Sequence, residues 1–466
     1  MTDIPHIATK TLQIFTRTEA SHYRLIPLST EGCILKCAGE KGRNYSETIK
    51  EVELLFGYHV IIDEISPEEI SSMINQVYRT IENTSSEFMS SSSDIVEKIV
   101  LEAYSMNSSD IHFEPSENSA RVRYRIDGKL IERHVIRKEN YQGIVNRVKI
   151  LSNLDISEKR LPQDGRIMFS KGSIKFDIRT SVMPTVFGEK VVLRLLVRGG
   201  RGMSLTTLGF TERQLSDYTA AISRPFGMIL ISGPTGSGKS TTLYATLEKL
   251  NREDNNILTI EDPVEYTIGG INQVQLKEDI GLTFPVALKT FLRQDPDIIM
   301  LGEIRDEDTA EMAVRSSLTG HLVLSTLHTN SAWGCVSRMT DMGVHSYLLS
   351  ETLIACIAQR LVRLLCPYCK EKENPENRPP GIVTIHAQTY HRCGCEKCFY
   401  TGYSGRKAIY EVILSDEDIS EAIRRDISDI SGILKSKGIT SLKDSAITLY
   451  ESGETSLEEI LPIINS

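Results

Sequence analysis

No uninterrupted apolar run in this chain approaches the roughly 20 residues that cross a bilayer, so no helical membrane span is expected. The first residues, Met1-Thr2-Asp3-Ile4-Pro5-His6, lack the basic segment and apolar core of a secretory leader. Together these two absences lead to the expectation of a cytosolic protein. Positive charge is also short. Lys and Arg number 53 against 62 Asp and Glu, a net charge of −9. That balance argues against bulk attraction to nucleic acid or anionic lipid, although it leaves room for a local basic patch. A disulfide framework is missing too, because nine cysteines is an odd count and five of them crowd between Cys366 and Cys398. In a reducing compartment such clustering reads as metal binding. The remaining bulk numbers, 466 residues with 40% hydrophobic and 25% charged, suit a soluble globular chain of roughly two to four domains.

Several units are legible. Residues 1–84 form a small first unit, ended by a flexible connector at 85–93 in which Ser85-Ser86 and Ser90 to Ser93 flank Glu87-Phe88-Met89. A helical stretch from Pro67 to Tyr78 is expected to close this unit. It offers no nucleophile, metal cluster or phosphate loop, so docking is its default role and structural extension the other reading. Residues 94–198 read as a second, mixed α/β unit. Asp94 is placed as the N-cap of a helix with apolar positions Ile95, Val96, Ile99, Val100 and Ala103. The segment Val122 to Ile126 alternates as a half-exposed strand does, and Asp127-Gly128 supplies a hairpin turn. Ile174 to Ile178 and Lys190 to Leu195 give two more strands. A Gly-rich joint at 199–204, containing Gly199, Gly200 and Gly202, is expected to act as a hinge. From about 205 onward, apolar strands alternate with helical stretches, which indicates a parallel sheet covered on both faces.

That last region holds Gly233-Pro234-Thr235-Gly236-Ser237-Gly238-Lys239-Ser240-Thr241, which fits G-x-x-x-x-G-K-[ST]. Glycines let backbone N–H groups turn toward phosphate oxygens, Lys239 brings a point charge to the β- and γ-phosphates, and Ser240 offers a hydroxyl to Mg²⁺. An apolar run (Met228 to Ile231) leads in, and Thr242 to Leu247 reads as a helix leading out. Phosphate would then lie at a helix N-terminus, where free N–H groups favour anions. Bound ATP or GTP is the expectation.

Three further segments end apolar strands in charge. Ile257 to Ile260 runs into Glu261, Asp262 and Glu265; Ile298 to Leu301 runs into Glu303, Arg305 and Asp306; and His321 and His328 bracket the strand between them. Phosphoryl transfer needs cations to neutralise developing charge and a carboxylate to orient water. The carboxyl ends of strands are where α/β sheets bind ligands. For His328, a core histidine holding loops and a phosphate sensor are both open readings.

The cysteines divide into Cys366-Pro-Tyr-Cys369 and Cys395-Glu-Lys-Cys398. Two such pairs suit one tetrahedral Zn²⁺ with no open position, hence a structural metal. Cys393 is a fifth thiol, read as a spare or as a substitute for Cys395.

Gly233 to Thr241, Glu261 to Glu265, Asp295 to Asp306 and Thr319 to Thr329 together resemble the Walker A, Asp-box, Walker B and His-box set of the ATPases that power type II secretion and type IV pilus assembly. The resemblance extends through Ser109 to Pro115, Leu161 to Arg166 and Gln359 to Val362, over about residues 95–415. It implies a homohexamer of α/β subunits, each with a small N-terminal docking domain, a PAS-like second domain and a RecA-like ATPase domain at 205–466. That last domain would include a zinc module at 363–402 and a C-terminal helical region at 412–466.

The implied cofactors are ATP, Mg²⁺ and structural Zn²⁺. By similarity, Glu303 is the Walker B carboxylate and Glu265 the preferred water activator, with Glu261 as the alternative. Arg179 and Arg194 match second-domain positions that reach the γ-phosphate when the ring closes. Arg293 and Arg305 are further candidates. Asp308 and Ser331 depart from the family pattern without touching a proposed catalytic role. The zinc module is shared by secretion and pilus-extension members, which disfavours retraction. The short N-terminal unit, with Glu68 to Tyr78 resembling the end of the secretion-type docking domain, favours type II secretion over pilus extension. Implied partners are a single-pass inner-membrane platform protein bound by the N-terminal domain and a polytopic platform protein, with peripheral attachment to the inner membrane. Nucleic acid is not expected. A DNA-transfer motor, or a ring scaffold whose hydrolysis is gated by assembly, is the reading of another class.

Overall fold

A computed structural model describes residues 11, 14–15, 17–31, 34–56, 58–71, 73–74, 92–196, 204–373, 388–399 and 401–465. Residues 85–91 of the Ser-rich connector expected at 85–93, and 199–203 of the Gly-rich joint expected at 199–204, lie outside these residues. Contacts divide the chain into two compact units, Met1–Leu195 and Leu196–Ser466.

The first unit begins with a small sheet. β1 (Leu25–Glu31) and β2 (Ile34–Glu40) form an antiparallel hairpin, and β3 (His59–Ile65) joins β2 in parallel. A parallel neighbour requires a crossover, and the helix Ser46–Phe56 provides it. Phe15, Leu25, Ile26, Leu35, Val52 and Ile70 form its core. The expected closing helix is described at 67–71 and 73–74. It opens on a capping box, in which the Glu69 N–H donates to Ser66 Oγ and the Ser66 N–H to the Glu69 carboxylate.

A six-stranded sheet follows, built from β4 (Asp110–Pro115), β5 (Ser119–Ile126), β6 (Lys129–Arg137), β7 (Gln163–Lys171), β8 (Ile174–Thr185) and β9 (Gly188–Leu196). Its order is β6-β5-β4-β9-β8-β7. Asp127 and Gly128 join β5 to β6 with φ of 47° and 84°, the positive pair a two-residue hairpin needs. The helix Ser92–Ser105 buries Ile95, Val96, Ile99, Val100 and Ala103 as expected, and Tyr104 stacks on Phe176 of β8. Asp94 is not its N-cap. The helix begins two residues earlier, because Ser92 and Ser93 fit a first turn whose N–H groups need no helical partner.

Two charge clusters accompany this sheet's packing, the first buried and the second half-buried. Lys149 Nζ lies 2.5 Å from Glu189 and also donates to the Asp155 and Glu158 carbonyls. Glu102 accepts from Tyr124 and Arg133 and shares a 2.5 Å contact with His134 Nε2.

The second unit contains β10 (Gly227–Ser232), β11 (Ile257–Glu261), β12 (Asn272–Gln275), β13 (Ile298–Leu301), β14 (Leu322–Leu327), β15 (Leu353–Leu365), the short β16 (Glu371–Lys372) and β17 (Tyr390–His391), and β18 (Tyr403–Leu414). Seven of these form one sheet in the order β12-β11-β13-β14-β10-β15-β18. It is parallel except for β18, which runs antiparallel to β15. Every residue of β10 is buried. Met228 and Leu230 pack with Ile260 and Leu301 on one face, while Ile229 and Ile231 pack with Met300 and Ile357 on the other. The sheet is thus covered on both sides, as the apolar runs required.

Two boundaries move. Residues 412–414 complete β18, and the C-terminal helices start at Glu417, because Val412 and Ile413 bury their side chains in strand pairing. Likewise Arg363 to Leu365 finish β15, and the cysteine module departs at Cys366.

Candidate functional site

The phosphate loop follows β10 and runs into the helix Lys239–Leu250. Gly236 and Gly238 take φ of 81° and 90°, a region closed to most side chains. Space is a second constraint. A Cβ on Gly233 would meet the Gln359 carbonyl oxygen at 2.5 Å, and one on Gly238 the Gln359 amide nitrogen at 2.8 Å. Gln359, buried on β15, also accepts from Thr242 Oγ1 at 2.9 Å, so this strand walls the loop from one side. Pro234, Thr235, Gly236, Ser240 and Thr241 are exposed, while Ser237 is buried. No side chain caps the helix N-terminus, and uncapped N–H groups at such an end suit an anion.

Lys239 is buried, and its ammonium donates to the Gly233 and Pro234 carbonyls at 2.7 and 3.2 Å. Burial pushes its pKa down and the Arg360 charge adds to that, while Glu303 opposes both.

The carboxylates behave differently from one another. Glu261 ends β11, is 4% exposed, and accepts from Tyr244, from Thr259 at 2.6 Å and from Gln273 at 3.1 Å. The Tyr244 hydroxyl in turn accepts from the Glu265 N–H at 3.1 Å. Glu261 therefore fixes a tyrosine that fixes the Glu265 backbone. Beyond β13, Glu303 pairs with Arg305, and His328 Nε2 approaches it to 3.7 Å from the end of β14. Arg305 also reaches Asp262 at 3.8 Å. Burial lowers the His328 pKa, with Lys239 next in effect and Glu303 opposing.

His321 does not join this group. It precedes β14, whereas His328 follows it, so the strand's rise sets them roughly 23 Å apart. Arg293, just past the helix Phe284–Phe291, donates to the Lys289 carbonyl of that helix. In the first unit, Arg194 on β9 lies opposite Asp110 and donates to it at 2.8 Å. Arg179 on β8 lies directly opposite Arg166 on β7. Like charges facing each other across a ladder are destabilising unless an anion intervenes.

Tyr244, Gln359 and Arg360 escaped the residue-by-residue reading. Gln359 and Arg360 stood in a quoted motif without a role. Their positions come from strand pairing, which no local spacing encodes.

At the cysteine module, Cys366, Cys369, Cys395 and Cys398 bring four sulfur atoms within 4.8 Å of one another. The Cys366–Cys395, Cys369–Cys398 and Cys395–Cys398 separations are 3.9, 3.7 and 3.7 Å. A tetrahedral centre with metal–sulfur bonds of about 2.3 Å has edges of about 3.8 Å, so the donor set fits zinc. The Gly402 N–H points at Cys398 Sγ at 3.3 Å. Cys393 falls outside this group and beside Glu371 and His391.

A glycine loop, a helix N-terminus and charged strand ends on a mostly parallel sheet define a P-loop nucleotide-binding enzyme. Residues 86–462 match the family model described as Type II/IV secretion system protein. The type IV pilus assembly ATPase PilB of Myxococcus xanthus is 48% identical over 382 residues, 79% of this chain and 67% of that one. The type II secretion system ATPase E of Vibrio cholerae is 38% identical over 480 aligned residues, 96% of this chain and 92% of that one. Among solved structures, the Legionella pneumophila ATPase DotB has a TM-score of 0.60 at 21% identity, covering 80% of this chain and 95% of that one, a likeness of fold. The chain belongs to the Type II/IV secretion system protein family.

Proposed function

We propose that this chain hydrolyses ATP to drive protein export in type II secretion, as a homohexamer held at the cytoplasmic side of the inner membrane by platform proteins. The observation that carries the enzymatic reading is the approach of Glu303 and His328 to 3.7 Å beyond β13 and β14, with Lys239, at the start of the helix after the phosphate loop, near enough for its charge to act on both. The loop's backbone N–H groups receive the β- and γ-phosphates, and Lys239 exchanges two neutral carbonyls for phosphate oxygens. Ser240 and Glu303 would hold Mg²⁺, which would supply charge neutralisation. Glu265, positioned through Tyr244 and Glu261, orients the attacking water. Arg179 and Arg194 bring positive charge to the γ-phosphate as the ring closes. The four cysteines hold a structural Zn²⁺.

The Vibrio cholerae alignment takes in 96% of the chain, and therefore most of the N-terminal unit, which supports secretion. The 48% identity to a pilus assembly ATPase supports pilus extension as the second reading.

Glu303→Gln tests the enzyme. Nucleotide binding should persist while turnover falls at least about 100-fold, and unchanged turnover would refute the assignment. Full-length protein used as bait on detergent-solubilised inner membrane tests the pathway. Capture of a single-pass protein with a large cytoplasmic domain supports secretion. Capture of pilus-platform proteins alone moves the chain to pilus extension.

A further inference from the structure

The ribbon between the two cysteine knuckles carries another set of metal-binding side chains. β16 and β17 pair antiparallel with Glu371 opposite His391, so these two side chains leave the ribbon on one face. Cys393 lies two residues beyond His391, and the chain leaving β17 brings its thiol to the same side. The three donor atoms lie within 4.8 Å of one another, and His391 Nε2 is 3.7 Å from the Glu371 carboxylate. A tetrahedral site with zinc–nitrogen and zinc–oxygen bonds of about 2.0–2.1 Å has an edge of about 3.4 Å, so a small closure of this pair would admit the ion.

The opposite face of the ribbon is pinned. Tyr390 sits beneath the Lys370 ammonium at 4.5 Å, and a Cβ on Gly453 would meet its ring at 2.5 Å. One face is thus fixed to the body of the unit, and the other presents a thiol, an imidazole and a carboxylate.

We infer that Glu371, His391 and Cys393 form a second site for a zinc-class divalent cation, separate from the four-thiol centre. Thiolate and imidazole select such cations over Mg²⁺ or Ca²⁺. Three protein ligands leave a fourth position for water or an outside donor, which a four-thiol centre does not have. Binding displaces the Cys393 thiol proton to solvent. Glu371 follows Cys369 by two residues and Cys393 precedes Cys395 by two, so both ends of the ribbon are tied to the four-thiol centre. Closing that centre pre-organises the triad. Glu371 and His391 are 70% and 48% exposed, which makes the second metal the exchangeable one.

The test is a metal count on the full-length protein, saturated with Zn²⁺, freed of loose metal and measured by plasma emission. About two zinc ions per subunit are expected, falling to about one after brief treatment with a weak chelator. Refilling with Co²⁺ should add a single-thiolate charge-transfer band, weaker than that of a four-thiol centre. His391→Ala and Cys393→Ser should each lower the count to about one, and the metal retained in the four-thiol centre shows that the fold survived. A wild-type count of one overturns the inference. So does a count of two that persists in both variants, or a Cys393→Ser protein that loses all its metal.

Discussion

The two units hold their charges in opposite ways. Lys149 in the first unit is fully buried, pairs with Glu189 at 2.5 Å, and has two backbone carbonyls besides. Lys239 in the second unit is almost as buried, yet its ammonium rests on neutral carbonyl oxygens. Nearby, Glu303 pairs tightly with Arg305, whereas its approach to His328 is 3.7 Å and that of Arg305 to Asp262 is 3.8 Å, and His328 and Arg305 are about half exposed. A buried charge with a tight opposite partner is committed to folding. A buried charge resting on weak acceptors is available to an incoming anion.

The comparison breaks first at Lys149. Lys149→Met strands the Glu189 carboxylate in the interior and should cost about 3–5 kcal/mol in urea unfolding. Lys239→Ala should do the reverse. Turnover should fall about 10²- to 10³-fold, while the unfolding midpoint stays close to wild type. If both variants lose stability equally, the distinction fails.

Glu102 sharpens the comparison by pH. Burial works against its ionisation, but hydrogen bonding to His134 and its charge, then Tyr124 and Arg133, hold the carboxyl at about 2 against an ordinary 4.5. With the folded value depressed, its stabilisation is present above pH 4.5 and is lost as pH falls toward 2. Glu102→Gln should therefore cost up to about 3 kcal/mol at pH 7 and little at pH 2, read as a narrowing gap between two unfolding curves. The smallest effect belongs to Arg315, which pairs with Glu311 on an exposed helix face. Arg315→Ala should change stability by about 0.5 kcal/mol or less.

Much of the nucleotide site was legible because its signals are local. The glycine pattern, the apolar run before it and the charged ends of β11, β13 and β14 each lie within a dozen residues of chain. What escaped depends on depth and pairing. Glu261 and Glu265 are equivalent as letters. Only the fold encloses one among three donors and ties the other's backbone to Tyr244. Spacing favours Cys395, which makes a C-x-x-C pair with Cys398, but leaves Cys393 open as a substitute until the fold gathers Cys395 with the other three sulfurs and sets Cys393 beside His391 and Glu371. At Val412 to Leu414 an apolar run reads as strand or helix alike, and its ladder with β15 decided the matter.

The wall that Gln359 builds against Gly233 and Gly238 makes the nine-residue motif less portable than its spelling suggests. Its resting shape is borrowed from a strand encoded more than a hundred positions downstream, itself clamped between β10 and β18. A fragment ending at Leu327 would keep every letter of the loop and have nothing to press it into form. A graft of the loop into another scaffold would have to bring its neighbour along.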